Sequence, residues 1–327
     1  MARRRPARGA GPLVVLAALA LLVAGAIGWA WHGRGPLARP ATVTIPQGAT
    51  LATAARELEH AGAIGSARLF TRLSRLFGSR DPIRAGRFAI PARSSAAAIL
   101  DLLQHGRPVL RLVTVPEGMA SIYVRQALAQ ASGLTGPAPL PAEGSVLPDS
   151  YAFTDGDART VVARRMRAAM DRALAEEWRG RAPGLAVRTP RDAVILASIV
   201  EKETGAPAER ATVAAVYANR LRLGMPLQAD PTVIYPVTRG RPLGRRILLS
   251  ELRAVNGYNT YARPGLPIGP ICNPGRASLH AVLHPASSKA LYFVANGRGG
   301  HVFANTLAEQ NANVKRWYAI RHARGEM

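Results

Sequence analysis

The chain reads as an α+β protein: one apolar, membrane-spanning helix at the amino end, a small α+β module, then a larger α+β domain. Three observations carry this reading. Residues 13–31 hold no charged side chain. Two strand-then-helix pieces, TIPQGATLATAARELEHAG and FAIPARSSAAAILDLLQHG, follow each other early in the chain. Beyond residue 110 come helical periodicities, a turn-rich stretch and a closing helix. Boundaries are expected at 1–11 (cytoplasmic tail), 12–31 (transmembrane anchor), 32–41 (linker), 42–109 (module) and 110–327 (larger domain, core 186–327).

Composition narrows the function. Of 327 residues, 48% are apolar and 19% charged, which excludes wholesale disorder. A single cysteine, Cys272, excludes a disulfide framework and a cysteine-rich zinc site; no metal or cofactor is expected. The net charge is +23, and lysine occurs only at Lys202, Lys289 and Lys315, so nearly all the basic residues are arginine. Such a balance can signal a polyanion partner. Here the arginines are dispersed through an Ala-, Gly- and Pro-rich chain with no nucleic-acid motif, so no nucleic-acid partner is expected.

The amino end sets the compartment. At 1.5 Å per residue a helix over residues 13–31 spans about 28 Å, close to a hydrocarbon core. Arg3, Arg4, Arg5 and Arg8 precede it and favour a cytoplasmic amino terminus; Trp29 and Trp31 are expected at the outer interface. Ala24-Gly25-Ala26 also fits a signal-peptide cleavage site, but apolar sequence continues past it, which favours an uncleaved anchor. Either way everything after residue 32 is exported. No other stretch is long and apolar enough to span, which excludes a multi-span transporter.

The module and the larger domain follow from local signals. Gly33, Gly35, Pro36 and Pro40 mark a short tether. Residues 41–46 alternate and end at a Pro-Gln-Gly turn, the mark of a strand; 86–91 form a second. Helices are expected over 50–61, over 67–77 with Leu69, Phe70, Leu73 and Leu76 on one face, and from a Ser94 or Ser95 cap through Leu103, closed by Gly106. A strand over 110–116, a helix over 120–131 and a proline-rich loop over 136–144 open the larger domain. Residues 160–179 form a long helix with Val161, Met166, Met170 and Leu174 inward. Thr189-Pro190-Arg191-Asp192 starts the next one: a cap, a proline at the first turn and an acid on the helix dipole. It runs into Glu201-Lys202-Glu203-Thr204 and stops at Gly205. Pro207 opens another helix, which ends at Gly224; residues 227–301 read as turn-rich and strand-like, and 306–322 as a final helix.

Eight uncharged residues precede Glu201, so its helix is expected to be buried nearly all round. Glu201 shares a face with Ala197 and Ser198, whose small side chains leave room for a ligand. Apolar neighbours raise a carboxyl pKa, and a carboxylic acid kept neutral can protonate a glycosidic oxygen. Glu203 lies two positions on, about 200° round the helix, so it is not a same-face partner. A hydrolase needs a second carboxylate, and Asp230 is the nearest downstream candidate. One acid suffices where the substrate carries its own nucleophile; the bland alternative is that Glu201 pairs with an arginine or ends a helix.

These residues carry a resemblance. LASIVEKET (196–204), NRLRLGMPLQADPTVIY (219–235), YNTY (258–261), GLPIGPICNPG (265–275) and LYFVANGRGGHVF (291–303) resemble the membrane-bound endolytic murein transglycosylases, the YceG-like family. TIPQGATL resembles that family's LysM-like module, and EGSVLPDSYAF (143–153) its EG-x-L-x-PD-T-Y segment. The resemblance implies a single-pass inner-membrane lyase with a periplasmic catalytic domain. It would cut the β-1,4 bond after N-acetylmuramic acid inside nascent peptidoglycan, leave 1,6-anhydromuramoyl ends and thereby terminate strand growth. Glycan strands would be its substrate, and peptidoglycan synthases (penicillin-binding proteins) its partners. It also implies that Glu201, the first glutamate of EKE, is the catalytic acid and then base, with the muramoyl 6-hydroxyl as the internal nucleophile.

Other residues in these motifs offer sugar contacts. Gln228, Asp230, Asn259 and Thr260 supply polar atoms; Tyr235, Tyr258 and Tyr261 supply ring faces. Glu203, Asn273 and His301 are secondary candidates. Each has a structural alternative: a turn at Asp230-Pro231 or Asn273-Pro274-Gly275, core packing for the tyrosines, a loop cap for His301, a packed hydrophobe for Cys272. The chain departs from the family pattern at Ile268, where a second proline is usual, and at Gln310, where a histidine is common. Two other functions stay open: a non-catalytic peptidoglycan-binding or divisome scaffold, and a glycoside hydrolase using Glu201 with Asp230.

Overall fold

The computed structural model describes residues 10–326. Arg3, Arg4, Arg5 and Arg8, with most of the expected cytoplasmic tail, lie outside the described residues. The chain divides into two compact units.

The first unit runs to Arg111 and takes in Phe153–Asp157. Helix α1 (Ala10–His32) leads into β1 (Ala41–Ile45), α2 (Leu51–His60), α3 (Ala67–Phe77), β2 (Gly86–Ile90) and α4 (Ala96–His105). β1 and β2 pair antiparallel with Val43 opposite Phe88, so Val43, Ile45, Phe88 and Ile90 enter one core with Leu58, Phe70, Ile99 and Leu103. The helices start where the sequence supplies caps: Thr50, Ser66 and Ser95 accept the N–H groups of Thr53, Leu69 and Ala98. Val14–His32 is apolar and long enough to cross a membrane, consistent with a single-pass anchor. Two expectations change. Trp31 is buried in this core, its ring 6.5 Å from that of Phe70 and 6.4 Å from that of Phe77, where its large apolar ring is removed from water. The tether is stapled: Gly35 N–H donates to Arg93 O (3.2 Å), Arg93 N–H to Leu37 O (2.9 Å), and Leu37 packs on the core.

The second unit holds β3 (Arg111–Val115, all but its first residue), α5 (Ser121–Gln130), β4 (Asp149–Phe153, all but its last), α6 (Arg159–Arg179), α7 (Pro190–Glu203), α8 (Arg210–Arg222), α9 (Asp230–Thr238), α10 (Leu249–Arg253), α11 (Arg276–Leu283), β5 (Tyr292–Ala295), β6 (His301–Ala304) and α12 (Leu307–Ala323). β3 pairs with β4, and β5 runs antiparallel to β6 with Phe293 opposite Phe303. The core centres on α7, whose residues 193–200 are all buried. Around it pack Met170, Val213, Tyr217, Leu279 and Leu283. A fully buried aliphatic side chain contributes about 1.5–3 kcal/mol, so this helix is the unit's main hydrophobic anchor. Thr189 caps α7 as expected, and Asp192 closes a reciprocal cap as well, Asp192 N–H donating to Thr189 Oγ1 (3.1 Å) and Thr189 N–H to Asp192 Oδ2 (2.9 Å).

Three readings are corrected here. The buried stripe of α6 is Val162, Met166, Met170 and Ala173; Val161 faces outward. The stretch after Leu227 is turn-rich as expected, but its first regular elements are the short helices α9, α10 and α11 rather than strands. Asp230-Pro231 opens α9 rather than a turn, because proline is tolerated in a first helical turn and an acid suits its dipole.

Candidate active site

The two glutamates that end α7 point to different sides. Glu201 is enclosed by the chain itself: its side chain is 5% exposed. Gly275 N–H donates to its Oε2 (2.8 Å), and Arg210 Nη2 of α8 lies 3.6 Å from Oε1. The small residues on its face make room for backbone rather than for a ligand. Ser198 Oγ donates to Ile195 O (2.7 Å) and accepts the Ile271 N–H (3.1 Å), and Cys272 Sγ sits 3.3 Å from Ser198 O. Residues 271–275 therefore fill the space expected to be open. Glu201 meets positive potential and a backbone donor, not the apolar pocket anticipated for it.

Glu203 faces a cavity of about 390 Å³. Tyr217 and Arg220 of α8 line it, with Gln228, Asp230, Tyr261, Tyr292 and Gln310. The residue keeps some exposure, yet Oε1 is sealed and has no hydrogen-bond partner among the described residues. Burial pushes its carboxyl up to about 7; the nearby Asp230 charge adds to this, while the Tyr217 hydroxyl and Arg220 oppose it. A carboxyl at that value is about half protonated at neutral pH, the condition for donating and later accepting a proton. Gln310 Oε1 is a second buried acceptor without a partner among the described residues, while its Nε2 donates to Phe293 O (3.0 Å). Orphaned acceptors on a cavity wall suit a hydroxyl-bearing ligand.

The rest of the cavity is tightly wired. Tyr261 Oη donates to Asp230 Oδ1 (2.6 Å). Arg220 Nε donates to Leu291 O (2.7 Å), and its Nη1 to Leu227 O (2.7 Å) and Gln228 Oε1 (3.3 Å). Burial lowers the pKa of this guanidinium, and its charge lies 5.2 Å from the Tyr292 ring centre. Gln228 adopts a left-handed backbone, φ 53°, which costs a non-glycine residue about 1 kcal/mol. Its N–H donates to Thr260 O (3.1 Å), so the loop that aims it is fixed.

Four of the expected site residues thus meet in one cavity: Glu203, Gln228, Asp230 and Tyr261. The others do not join them. Asn259 is buried, its Nδ2 donating to the carbonyls of Glu251, Leu252 and Ala254 and its Oδ1 accepting the Tyr261 N–H. Thr260 is buried, accepting the Ala229 N–H and pairing with Thr232 Oγ1 at 2.8 Å. Tyr235 Oη donates to Glu143 Oε2 (3.1 Å), and Asn273 Oδ1 accepts the Val146 N–H (3.0 Å) while Nδ2 donates to Met119 O (2.9 Å). Tyr258 packs on Tyr235 at 4.9 Å and lines a separate cavity. His301 Nδ1 lies 2.7 Å from Glu209 Oε2. The polar atoms of Asn259, Thr260 and Asn273 thus serve loops and core.

Sequence reasoning missed Tyr217, Arg220, Tyr292 and Gln310 as cavity walls. A signal existed for the first two. Val213, Val216, Tyr217 and Arg220 fall at i, i+3, i+4 and i+7, which places two polar side chains in an inward stripe. Among the described residues one group of metal-ligand type, Glu177 on α6, His280 on α11 and His284 just after it, shares no residue with the cavity. His280 Nδ1 is taken by Glu177 Oε2 (2.9 Å), and His284 Nε2 by Gly180 O (2.9 Å).

Fold and site together define an α+β protein with an apolar amino-terminal helix and a carboxyl, raised by burial, on the wall of a polar cavity. Sequence comparison gives the family: the YceG-like family profile matches residues 43–316, and the chain belongs to that family. It is 33% identical over 182 residues to the endolytic murein transglycosylase of Bacillus subtilis, covering 56% of this chain and 49% of that one. It is 28% identical over 323 residues to the endolytic murein transglycosylase of Streptococcus pneumoniae, covering 84% of this chain and 57% of the relative. The chain therefore spans about half the length of these curated relatives. A crystal structure of a yceG-like protein from Listeria monocytogenes matches with a TM-score of 0.53 and 27% identity, over 84% of this chain and 98% of that one.

Proposed function

We propose that this chain is an endolytic peptidoglycan lytic transglycosylase in which Glu203, rather than Glu201, is the acid and then the base. The observation that carries the reading is a carboxyl whose buried Oε1 has no partner among the described residues, lining a polar cavity in a member of a family whose relatives bear that activity in their names; burial raises its pKa. Neutral Glu203 gives its proton to the glycosidic oxygen as the C1–O4 bond breaks. The muramoyl 6-hydroxyl attacks C1, and its proton passes to the Glu203 carboxylate, which restores the acid. No water is consumed. Asp230 keeps Glu203 protonated before attack and stabilises positive charge growing at C1. Gln228 and Tyr261 are placed to hold hydroxyl and N-acetyl groups, and Arg220 fixes the walls.

The anchor supports placing the chain in a bacterial inner membrane with the cavity-bearing unit on the periplasmic side. A second reading rests on Asp230 sharing the cavity: a glycoside hydrolase with Glu203 as acid and Asp230 as base for water. Glu201 has no part in that pairing, since it faces the other side of α7. Mass analysis of fragments released from uncrosslinked glycan strands by the full chain in detergent decides. The proposal expects anhydro ends, each one water lighter than a reducing end. Reducing ends would establish the hydrolase, and intact strands a binding protein without catalysis.

A further inference from the structure

The carboxyl end of α1 is rigidly joined to the first unit, through buried Trp31 and the bonds that staple residues 33–37 to Arg93. This fixes the height of α3 relative to the apolar span. Trp29 lies three residues, about 4.5 Å, before the end of Val14–His32. It lines one wall of a cavity of about 450 Å³ whose other wall includes Leu69, Phe70 and Leu73 of α3. Leu69 thus shares that cavity with the last turn of the span, and the Phe77 ring lies 6.4 Å from that of Trp31, so α3 lies beside the end of the span.

The outward edge of α3 has the composition for that depth. Leu69 is 48% exposed, Leu76 73% and Phe77 56%. Leu69 and Leu76 are seven residues apart, two turns along one edge. Arg72 borders that edge, and Arg68 and Arg75 follow further round; all three are exposed. An apolar edge flanked by arginines is how a helix lies in a membrane surface, with aliphatic stems in the boundary and guanidinium groups at phosphates. We infer that the outer edge of α3 lies in the surface of the bilayer that α1 crosses, with Leu69, Leu76 and Phe77 against the upper acyl chains and Arg68, Arg72 and Arg75 on anionic phospholipid headgroups. The inference rests on reading α1 as a membrane anchor.

The test uses the full chain in lipid nanodiscs containing phosphatidylglycerol. Spin labels are placed one at a time by Leu76→Cys and, within the span, by Leu21→Cys; native Cys272 is buried and stays unlabelled. Collision with oxygen, which concentrates in lipid, is compared with collision with a water-soluble nickel chelate. Both labels are expected to meet oxygen several-fold more often than nickel. The triple variant Arg68→Glu, Arg72→Glu, Arg75→Glu is expected to raise nickel access at position 76 and leave position 21 unchanged. A Leu21 label in lipid with a Leu76 label in water overturns this inference and leaves the anchor standing. A Leu21 label in water overturns both. A Leu76 label shielded from both reagents overturns the inference in favour of a protein contact, and indifference to charge reversal removes the headgroup contact.

Discussion

Replacing Glu203 by glutamine keeps the shape of the side chain and removes its titration. The carboxyl is raised from an ordinary 4.5 to about 7 in the folded chain. A raised acid binds its proton more tightly when folded. Its stabilising contribution is complete below about pH 4.5 and is lost as pH climbs through about 7. At about 1.4 kcal/mol per pH unit, the ionised residue costs the native state about 3 kcal/mol by pH 8 and about 1 kcal/mol at pH 5. Glu203→Gln escapes that cost. In a unit of this size each kcal/mol moves the melting midpoint by about 2–4 °C, so the variant should melt about 6–12 °C above the parent at pH 8. The gap should narrow to about 2–4 °C as the pH falls to 5. Calorimetry of the full chain in detergent across that range makes the comparison. Curves that run parallel for parent and variant at every pH would refute the burial argument. A substitution that gains stability while losing turnover is the expected mark of a strained, functional acid.

Other substitutions separate structure from chemistry. Asn273→Ala leaves the buried Val146 N–H without its acceptor and should cost about 2–3 kcal/mol by denaturant unfolding, with cleavage per folded molecule unchanged. Arg220→Met strands the Leu227 and Leu291 carbonyls and removes a charge facing Glu203; it should lower the melting midpoint and raise the upper pH limit of activity, because Arg220 holds the Glu203 pKa down. Glu201→Gln keeps an acceptor for the Gly275 N–H but loses its charge opposite Arg210, so about 1–3 kcal/mol of stability should go, seen as a lower unfolding midpoint at neutral pH.

Much of the fold was legible because its starts and stops are local. Thr189, Asp192, Ser66 and Thr306 cap helices through their own side chains, and such bonds depend only on neighbours three residues away. The stretch after Leu227 was misread because short helices such as α9 and α11 offer too few turns for a clear period, and their prolines and glycines also mark turns. β4 was missed for a related reason: Asp149 and Ser150 are poor strand formers that β3 recruits from 36 residues away, with Thr114 Oγ1 and Ser150 Oγ 2.8 Å apart. The acid was harder still. A helix buried on all sides carries no period to tell which face meets a ligand, and α7 is such a helix. What distinguishes the two glutamates is their surroundings: residues 271–275 occupy the Glu201 face, and Tyr217, Arg220 and Asp230 frame the Glu203 side. Asp230 and Tyr261 come from two separate motifs and meet on the cavity wall, where Tyr261 Oη donates to Asp230 Oδ1; Asn259 and Thr260, beside Tyr261, turn inward to hold the loop.

The central claim is that the cavity acid, and not its neighbour two residues earlier, moves the proton. The most direct measurement counts anhydromuramoyl ends released from glycan strands by Glu203→Gln and Glu201→Gln, each normalised to folded protein. Glu203→Gln should release none above background, while Glu201→Gln keeps most of the parent yield. The reverse pattern, cleavage by Glu203→Gln and silence from Glu201→Gln, would contradict the account.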